Sequence, residues 1–230
     1  MESLDLVANN LANVQTSGFK IDREFYNIYT AAEASEPGAF DPTQMPVVEK
    51  SWTDYSQGNL KQTANQTDFA IAGNGFFTVT GPSGTLYTRN GAFQLSPTGN
   101  LVTTEGYPLQ GSDGKPVQID PRQTLQMTAQ GDLQQNGQTI SKLLPVSFTN
   151  MSELSKQGSS YFRFAGPPTS IAPATGLVHQ GKLEESNVGN AESAVRLVTV
   201  MRQFEMLQKA IGIGAEMNQK AITDVARSGA

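Results

Sequence analysis

Cysteine is absent from the 230 residues, and histidine and tryptophan occur once each, as His179 and Trp52. Without thiols the chain forms no disulfide, runs no thiolate catalysis and builds no cysteine-ligated zinc site, and either side of a membrane remains an allowed destination. A lone histidine excludes a histidine metal cluster and a two-histidine acid–base pair. In its Gly- and Gln-flanked stretch, His179 reads as a solvated surface residue. No run of Lys or Arg is present and the net charge is −5, so the electrostatic footprint of nucleic-acid binding is missing. No apolar stretch approaches the roughly 20 residues that cross a bilayer, so the chain is not expected to span a membrane. The opening Met1-Glu2-Ser3-Leu4-Asp5 has neither a basic nor an apolar region, so no cleaved secretory signal is expected.

Proline is missing from both ends. All twelve prolines lie between Pro37 and Pro173, and eighteen of the twenty-two glycines between Gly38 and Gly189. The ends are therefore helix-permissive and the middle turn-rich. From Asn190 to Arg227 the positions Leu197, Met201, Phe204, Gln208, Ile211, Ala215, Asn218, Ile222 and Val225 follow a heptad rhythm. Val200, Leu207, Gly214 and Ala221 widen the stripe beyond a two-stranded seam. Asn190 suits an N-cap, Glu192 the first turn, Arg227 the last, and Gly229 the stop. Such a helix either covers a core within one globule or packs between molecules. Gln208 and Asn218 in the seam favour the second, because buried polar groups there fix register. So do Gly212 and Gly214, each costing about 1 kcal/mol relative to Ala unless a neighbouring backbone comes close.

At the other end, Leu4, Val7, Leu11 and Val14 repeat the rhythm over residues 3–17, with Gly18 closing it. A helix this short is marginal in water, and the seam after Asn190 is its obvious partner. Residues 31–57 carry Pro37, Gly38, Pro42 and Pro46 with little periodicity and read as an extended connector. Over 58–165, short apolar runs alternate with Asn74-Gly75, Ser83-Gly84, Asn90-Gly91, Thr98-Gly99, Glu105-Gly106, Asp113-Gly114 and Asn136-Gly137. Each dipeptide places glycine where a turn needs a positive φ. The spacing predicts many short antiparallel strands in an irregular sandwich or barrel, with Phe69, Phe76, Phe77, Tyr87 and Phe93 in its core. Residues 166–186 read as a return connector. The expected fold is therefore α+β, a mainly antiparallel β-domain inserted between terminal helices (1–30 and 187–230) that pair as a coiled coil.

Candidate chemistry is sparse. Gly73-Asn74-Gly75 lies between two apolar β-like runs, with no Gly-Lys-Ser/Thr following, and fits a hairpin turn better than a phosphate cradle. Asp54 and Asp68 near Trp52 and Tyr55 are the one carboxylate pair that a glycan hydrolase could use, although acids beside turns are usually turn formers. Asn65-Gln66-Thr67 matches a glycosylation sequon by composition only. No catalytic, cofactor or metal residue is assigned, and no cofactor is expected. A binding module, its β-domain displayed on a helical stalk, is the alternative to an assembling subunit.

Several words of the sequence resemble the bacterial flagellar rod and hook family. The N-terminal word runs from Ala8 to Lys20, and Ala8, Asn9, Asn10, Leu11, Asn13, Thr16, Gly18 and Phe19 are the residues that carry it. Gly58-Asn59-Leu60 with Asp68 to Phe77, Tyr87 to Phe93 with Gly99 to Val102, and Gln180 to Val188 with Arg202-Gln203-Phe204-Glu205 follow in family order. The resemblance implies a structural subunit and no enzyme. It implies helical polymerisation through the terminal helices, in an inner tube with β-domains outside. It also implies a periplasmic rod location and export through the flagellar type III apparatus without signal-peptide cleavage. Implied partners are further copies, other rod and hook axial proteins, the export apparatus and the ring bushing around the rod. The short length leaves no room for the outer domains of a hook protein, and Arg202-Gln203-Phe204-Glu205 inclines the reading to a proximal over a distal rod subunit. Family members carry helical residues ahead of the position of Leu4, which implies that this chain begins inside that helix.

Overall fold

The computed structural model describes residues 2–29, 45–128 and 130–228. The chain divides into two compact units: its two ends, through residue 12 and from residue 189, and residues 13–188. Helix α1 spans Glu2–Ala12 and α2 spans Asn190–Ser228. Between them, among the described residues, run seventeen strands: β1 Asp22–Tyr29, β2 Met45–Thr53, β3 Leu60–Gln62, β4 Phe69–Ala72, β5 Phe77–Gly81 and β6 Gly84–Thr88. Next come β7 Gln94–Leu95, β8 Leu101–Val102, β9 Gln126–Met127, β10 Asp132–Gln135, β11 Gln138–Lys142 and β12 Val146–Phe148. The last are β13 Leu154–Gln157, β14 Tyr161–Phe164, β15 Ile171–Pro173, β16 Leu177–Gln180 and β17 Lys182–Glu184.

The α+β expectation needs correcting, because β-structure dominates and the terminal helices do not form a coiled coil. Helix α1 has 11 residues against 39 in α2, about three turns, too few heptads to sustain a seam. The two helices touch, and Val7, Asn10 and Ser193 are buried in this unit. Val14, expected on the same helical face, lies beyond the end of α1, in the turns that follow Ala12. On α2 the apolar side is largely uncovered. Met201 and Ile211 are exposed, as are Val195, Val198, Met206, Ile213 and Met217. A Cβ on Gly212 or Gly214 would meet nothing within 4 Å, so none of the described residues is the close neighbour that those glycines suggest. The side chains of Phe204, Leu207, Ala215, Asn218, Ile222 and Val225, and Gly229 itself, lie outside the described residues.

In residues 13–188 every strand pairing is antiparallel. The central sheet has the order β13-β14-β6-β5, surrounded by smaller two- and three-stranded sheets. Period-two alternation gives the central sheet two apolar faces. Phe77, Val79, Leu86 and Tyr161 point into one cluster with Phe69, Phe93, Leu101, Leu109 and Leu133. Tyr87 and Phe162 point into the other, with Phe76, Phe148 and Leu154. In that second cluster, edge-on aromatic contacts link Tyr55 to Phe162 and Phe76 to Phe162. The five aromatics expected in the core are all buried.

Turn chemistry accounts for much of the register. Asn136 (φ 52°) and Gly137 (φ 76°) form the two-residue turn between β10 and β11, where both central positions need a positive φ. Gly73-Asn74-Gly75 departs from the expected hairpin. Strand β4 pairs with β16, while β5 pairs with β6, so this turn carries the chain from one sheet to another. The connectors also contain more structure than expected. Residues 31–44 lie outside the described residues, but from Met45 the stretch is β2, paired with β1. The return segment 166–186 contains β15, β16 and β17. Through β16 and β17 it runs back along β4 and β3, so the end of this unit lies beside its beginning.

Phe162 is fully buried where the aromatic contacts converge. Phe162→Ala is expected to destabilise residues 13–188 by about 3–5 kcal/mol, seen as a lower urea midpoint with an unchanged slope. A loss under about 1 kcal/mol would show that the second cluster does not hold the central sheet.

Candidate functional site

A buried ion cluster lies where the first and last segments of the β-unit meet. Glu184, the last residue of β17, and Lys20 have fully buried side chains, joined Oε1 to Nζ at 2.5 Å. Arg89, just after β6, donates from Nη1 to Glu184 Oε2 at 2.9 Å. The Gly58 amide donates to Glu184 Oε1 at 3.0 Å. Remaining cation donors reach main-chain carbonyls: Lys20 Nζ to Ser56 at 2.6 Å and Arg89 Nη2 to Gly73 at 2.7 Å. Arg89 Nε is buried with no hydrogen bond. Burial pulls the Lys20 ammonium below its ordinary value, against the attraction of Glu184, and the neighbouring Arg89 charge adds to the lowering. Two cations thus share one carboxylate in a space closed to water.

The local backbone makes this close approach possible. Gly18 adopts φ +69°, and a Cβ there would collide with the backbone of Arg89 and Asn90. The Gly18 amide donates to the Glu184 carbonyl at 2.8 Å. Asn187 ties the same strands together, accepting from the Ile21 amide at 2.8 Å and donating to the Asp54 carbonyl at 2.8 Å. Lys156 caps the arrangement 4.0 Å above the Phe19 ring, with its ammonium 2.7 Å from Asp22 Oδ2.

The other sequence candidates scatter. Burial acts to raise the Asp54 pKa, but the hydrogen bonds from Ser56 and the Arg23 guanidinium outweigh it and hold the carboxyl below its ordinary value. A group held ionised in this way is a poor general acid. Asp68 is buried and bonded by Asn65 at 3.0 Å, and Asn65 in turn accepts from Thr67, a local turn arrangement. Trp52, 49% exposed, lines a cleft of about 600 Å³ with Tyr55, Asp22 and Lys156, where the two charged groups already bind each other. His179 sits half-buried in β16 opposite Ala70 and is not a solvated loop residue. Tyr161 donates to Glu105, and burial together with that bond raises its pKa. Among the described residues, no group of His, Cys, Asp and Glu could hold a metal ion, and no helix is long and apolar enough to cross a membrane.

Of the residues expected at an assembly face, Leu4, Leu11, Val14 and Leu197 are half-buried, Val7 is buried, and Met201, Gln208 and Ile211 are exposed. The N-terminal word is split by the structure. Ala8 to Leu11 lie on α1, while Asn13, Thr16, Gly18 and Phe19 belong to the β-unit.

Residues 70–140 match the family model described as the flagellar hook protein FlgE/F/G D1 domain. Residues 179–224 match that of the flagellar basal body rod FlgEFG protein C-terminal region. The flagellar basal-body rod protein FlgG of Buchnera aphidicola subsp. Schizaphis graminum is 34% identical over 242 residues, covering 95% of this chain and 92% of its own. The chain belongs to the flagellar basal-body rod protein family. Other rod proteins are similar to it: FlgF of Caulobacter vibrioides (31% identity, 95% of this chain, 90% of its own) and FlgG of Borreliella burgdorferi (31%, 91% and 88%). Relatives of both names match to nearly the same extent. The rod protein is a structural subunit of the flagellar basal body.

The family-like words of the rod protein meet on one atom group. Gly18-Phe19-Lys20, Gly58-Asn59, Arg89-Asn90 and the stretch ending at Val188 all touch Glu184 or its carbonyl neighbours. Sequence reasoning missed this cluster. The available signal was a lone charged residue in two of those words, Lys20 and Arg89, within a chain only 16% charged.

Between the lowered Lys20 pKa and the ordinary 10.5, the unfolded chain holds the Lys20 proton and the native chain releases it. Stability due to Lys20 therefore rises with pH across that window and is lost as pH falls through the native value. Urea unfolding of the unmodified rod protein and Lys20→Met, compared from neutral pH upward, is expected to shift in favour of the unmodified chain. A pH-independent difference between the two would contradict the desolvated lysine.

Proposed function

We propose that this subunit polymerises helically through its terminal helices, chiefly α2, into the shaft that carries torque from motor to hook. The supporting observation is the uncovered apolar surface of α2, with Ile211 72% and Met217 66% exposed beside Val195, Met201, Met206 and Ile213. A run of large apolar side chains left in water on a long helix is characteristic of a surface that a partner completes. The proposed contact residues are Leu4, Val7, Leu11 and Val14 near one end, and Leu197, Met201, Phe204, Gln208, Ile211, Ala215, Asn218, Ile222 and Val225 on α2. A head-to-tail contact that does not close on itself extends into a filament, which suits an axial structure. Neighbours on this face are further copies and other axial proteins of the rod and hook. Delivery runs through the flagellar type III export apparatus without cleavage of a signal peptide, to the periplasmic rod inside its ring bushing. The β-unit faces outward.

Ile211→Asp and Met217→Asp place a charge at side chains that are mostly exposed in the isolated subunit, so the thermal midpoint is expected to stay unchanged within error. Neither variant should restore motility to cells lacking their own copy of this subunit, and neither should enter purified basal bodies. Normal swimming by both variants would remove α2 from the assembly contact.

A further inference from the structure

Residues 13–23 form an arm that docks by means unlike those that hold the rest of the β-unit. The buried members of both hydrophobic clusters all lie between Phe69 and Val178. The arm contributes none of them, and neither do residues 54–60 or 182–188. Apart from buried Phe19, which lies under Lys156, and Tyr55, which packs edge-on against the second cluster, these three segments are joined by polar bonds: Gly18 to the Glu184 carbonyl, Ile21 to Asn187, Gly58 to the Glu184 carboxylate, and Glu185 to the Asn59 carbonyl. Lys20 meets its anion across a sequence separation of 164 residues.

Charge balance sets the order in which these parts close. Before Glu184 is in place, Lys20 and Arg89 are two cations whose remaining hydrogen bonds go to main-chain carbonyls, with Asp54 acting on Lys20 only through space, and burying charge so weakly compensated is prohibitive. Arg89 already has one donor unsatisfied, so the site has little tolerance for a further loss. Segment 184–187 also supplies the acceptors that the Gly18 and Ile21 amides need. The apolar clusters carry no such dependence.

We infer that Glu184 is a closing latch. The β-core forms from residues 69–178 first, and the arm 13–23 docks with 54–60 only when the C-terminal segment brings the single anion to Lys20 and Arg89. The N-terminal part of the β-unit is thereby kept open until nearly the whole unit is available. This inference is independent of how α2 assembles.

Amide hydrogen exchange on the full chain tests it. The arm is reported by the Gly18, Ile21 and Gly58 amides, the core by those of Leu101, Leu109 and Val117, which bond among themselves. In Glu184→Gln the arm amides are expected to exchange at least about a hundredfold faster, with core amides within about threefold of the unmodified chain. Lys20→Met keeps Arg89 balanced by Glu184 and leaves the Ser56 carbonyl bonded by Asn187, so both sets should stay protected. Pulse labelling during refolding of the unmodified chain should show core amides protected before arm amides. Uniform loss of protection in Glu184→Gln overturns the latch, as does unchanged arm protection. Arm exposure in Lys20→Met equal to that in Glu184→Gln, or simultaneous protection during refolding, overturns it as well.

Discussion

One carboxylate balanced against two cations, in a place water does not reach, decides how the β-unit is stitched together. Glu184 touches Lys20, Arg89 and the Gly58 amide, residues drawn from three distant parts of the chain. A buried ion cluster is a poor source of net stability, because desolvation offsets most of the attraction. Its value is selective: this arrangement compensates both cations with one carboxylate. Glycine at position 18 follows from the same constraint, since a side chain there would push the arm off the Arg89 backbone.

Around that cluster the fold is assembled from small antiparallel pieces and not from one large sheet. The four-stranded sheet β13-β14-β6-β5 has apolar side chains on both faces, so it acts as a partition between two cores. The smaller sheets close over those cores, and β16 and β17 return along β4 and β3. This explains how a chain that is only 37% hydrophobic still buries two apolar cores: its apolar residues are concentrated in short strands, and the polar ones occupy turns and bonds between segments. In contrast, α2 leaves much of its apolar surface exposed.

Local chemistry was legible in the sequence where it is decided locally. Asn136-Gly137 sits at a turn because few other pairs accept two positive φ values. The alternation in Tyr161-Phe162 marks a strand with two buried faces. What could not be read depends on partners far along the chain. Gly73-Asn74-Gly75 has hairpin composition, yet β4 finds β16 across the unit instead of β5 next to it. The heptad rhythms of both ends are real as patterns, but α1 stops at Ala12, so the matching seam has no length over which to pair. Lys20 and Glu184 carry no local sign that they meet, because no periodicity links positions so far apart.

The paired glycines in the middle of α2 have a mechanical meaning. Gly212 and Gly214 have open space where their side chains would be, and each weakens helical propensity by about 1 kcal/mol relative to Ala. Stiffness along α2 is therefore uneven, with its softest turn in the second half of the rod-like element. Any curvature forced on the helix concentrates there, sparing the turns on either side.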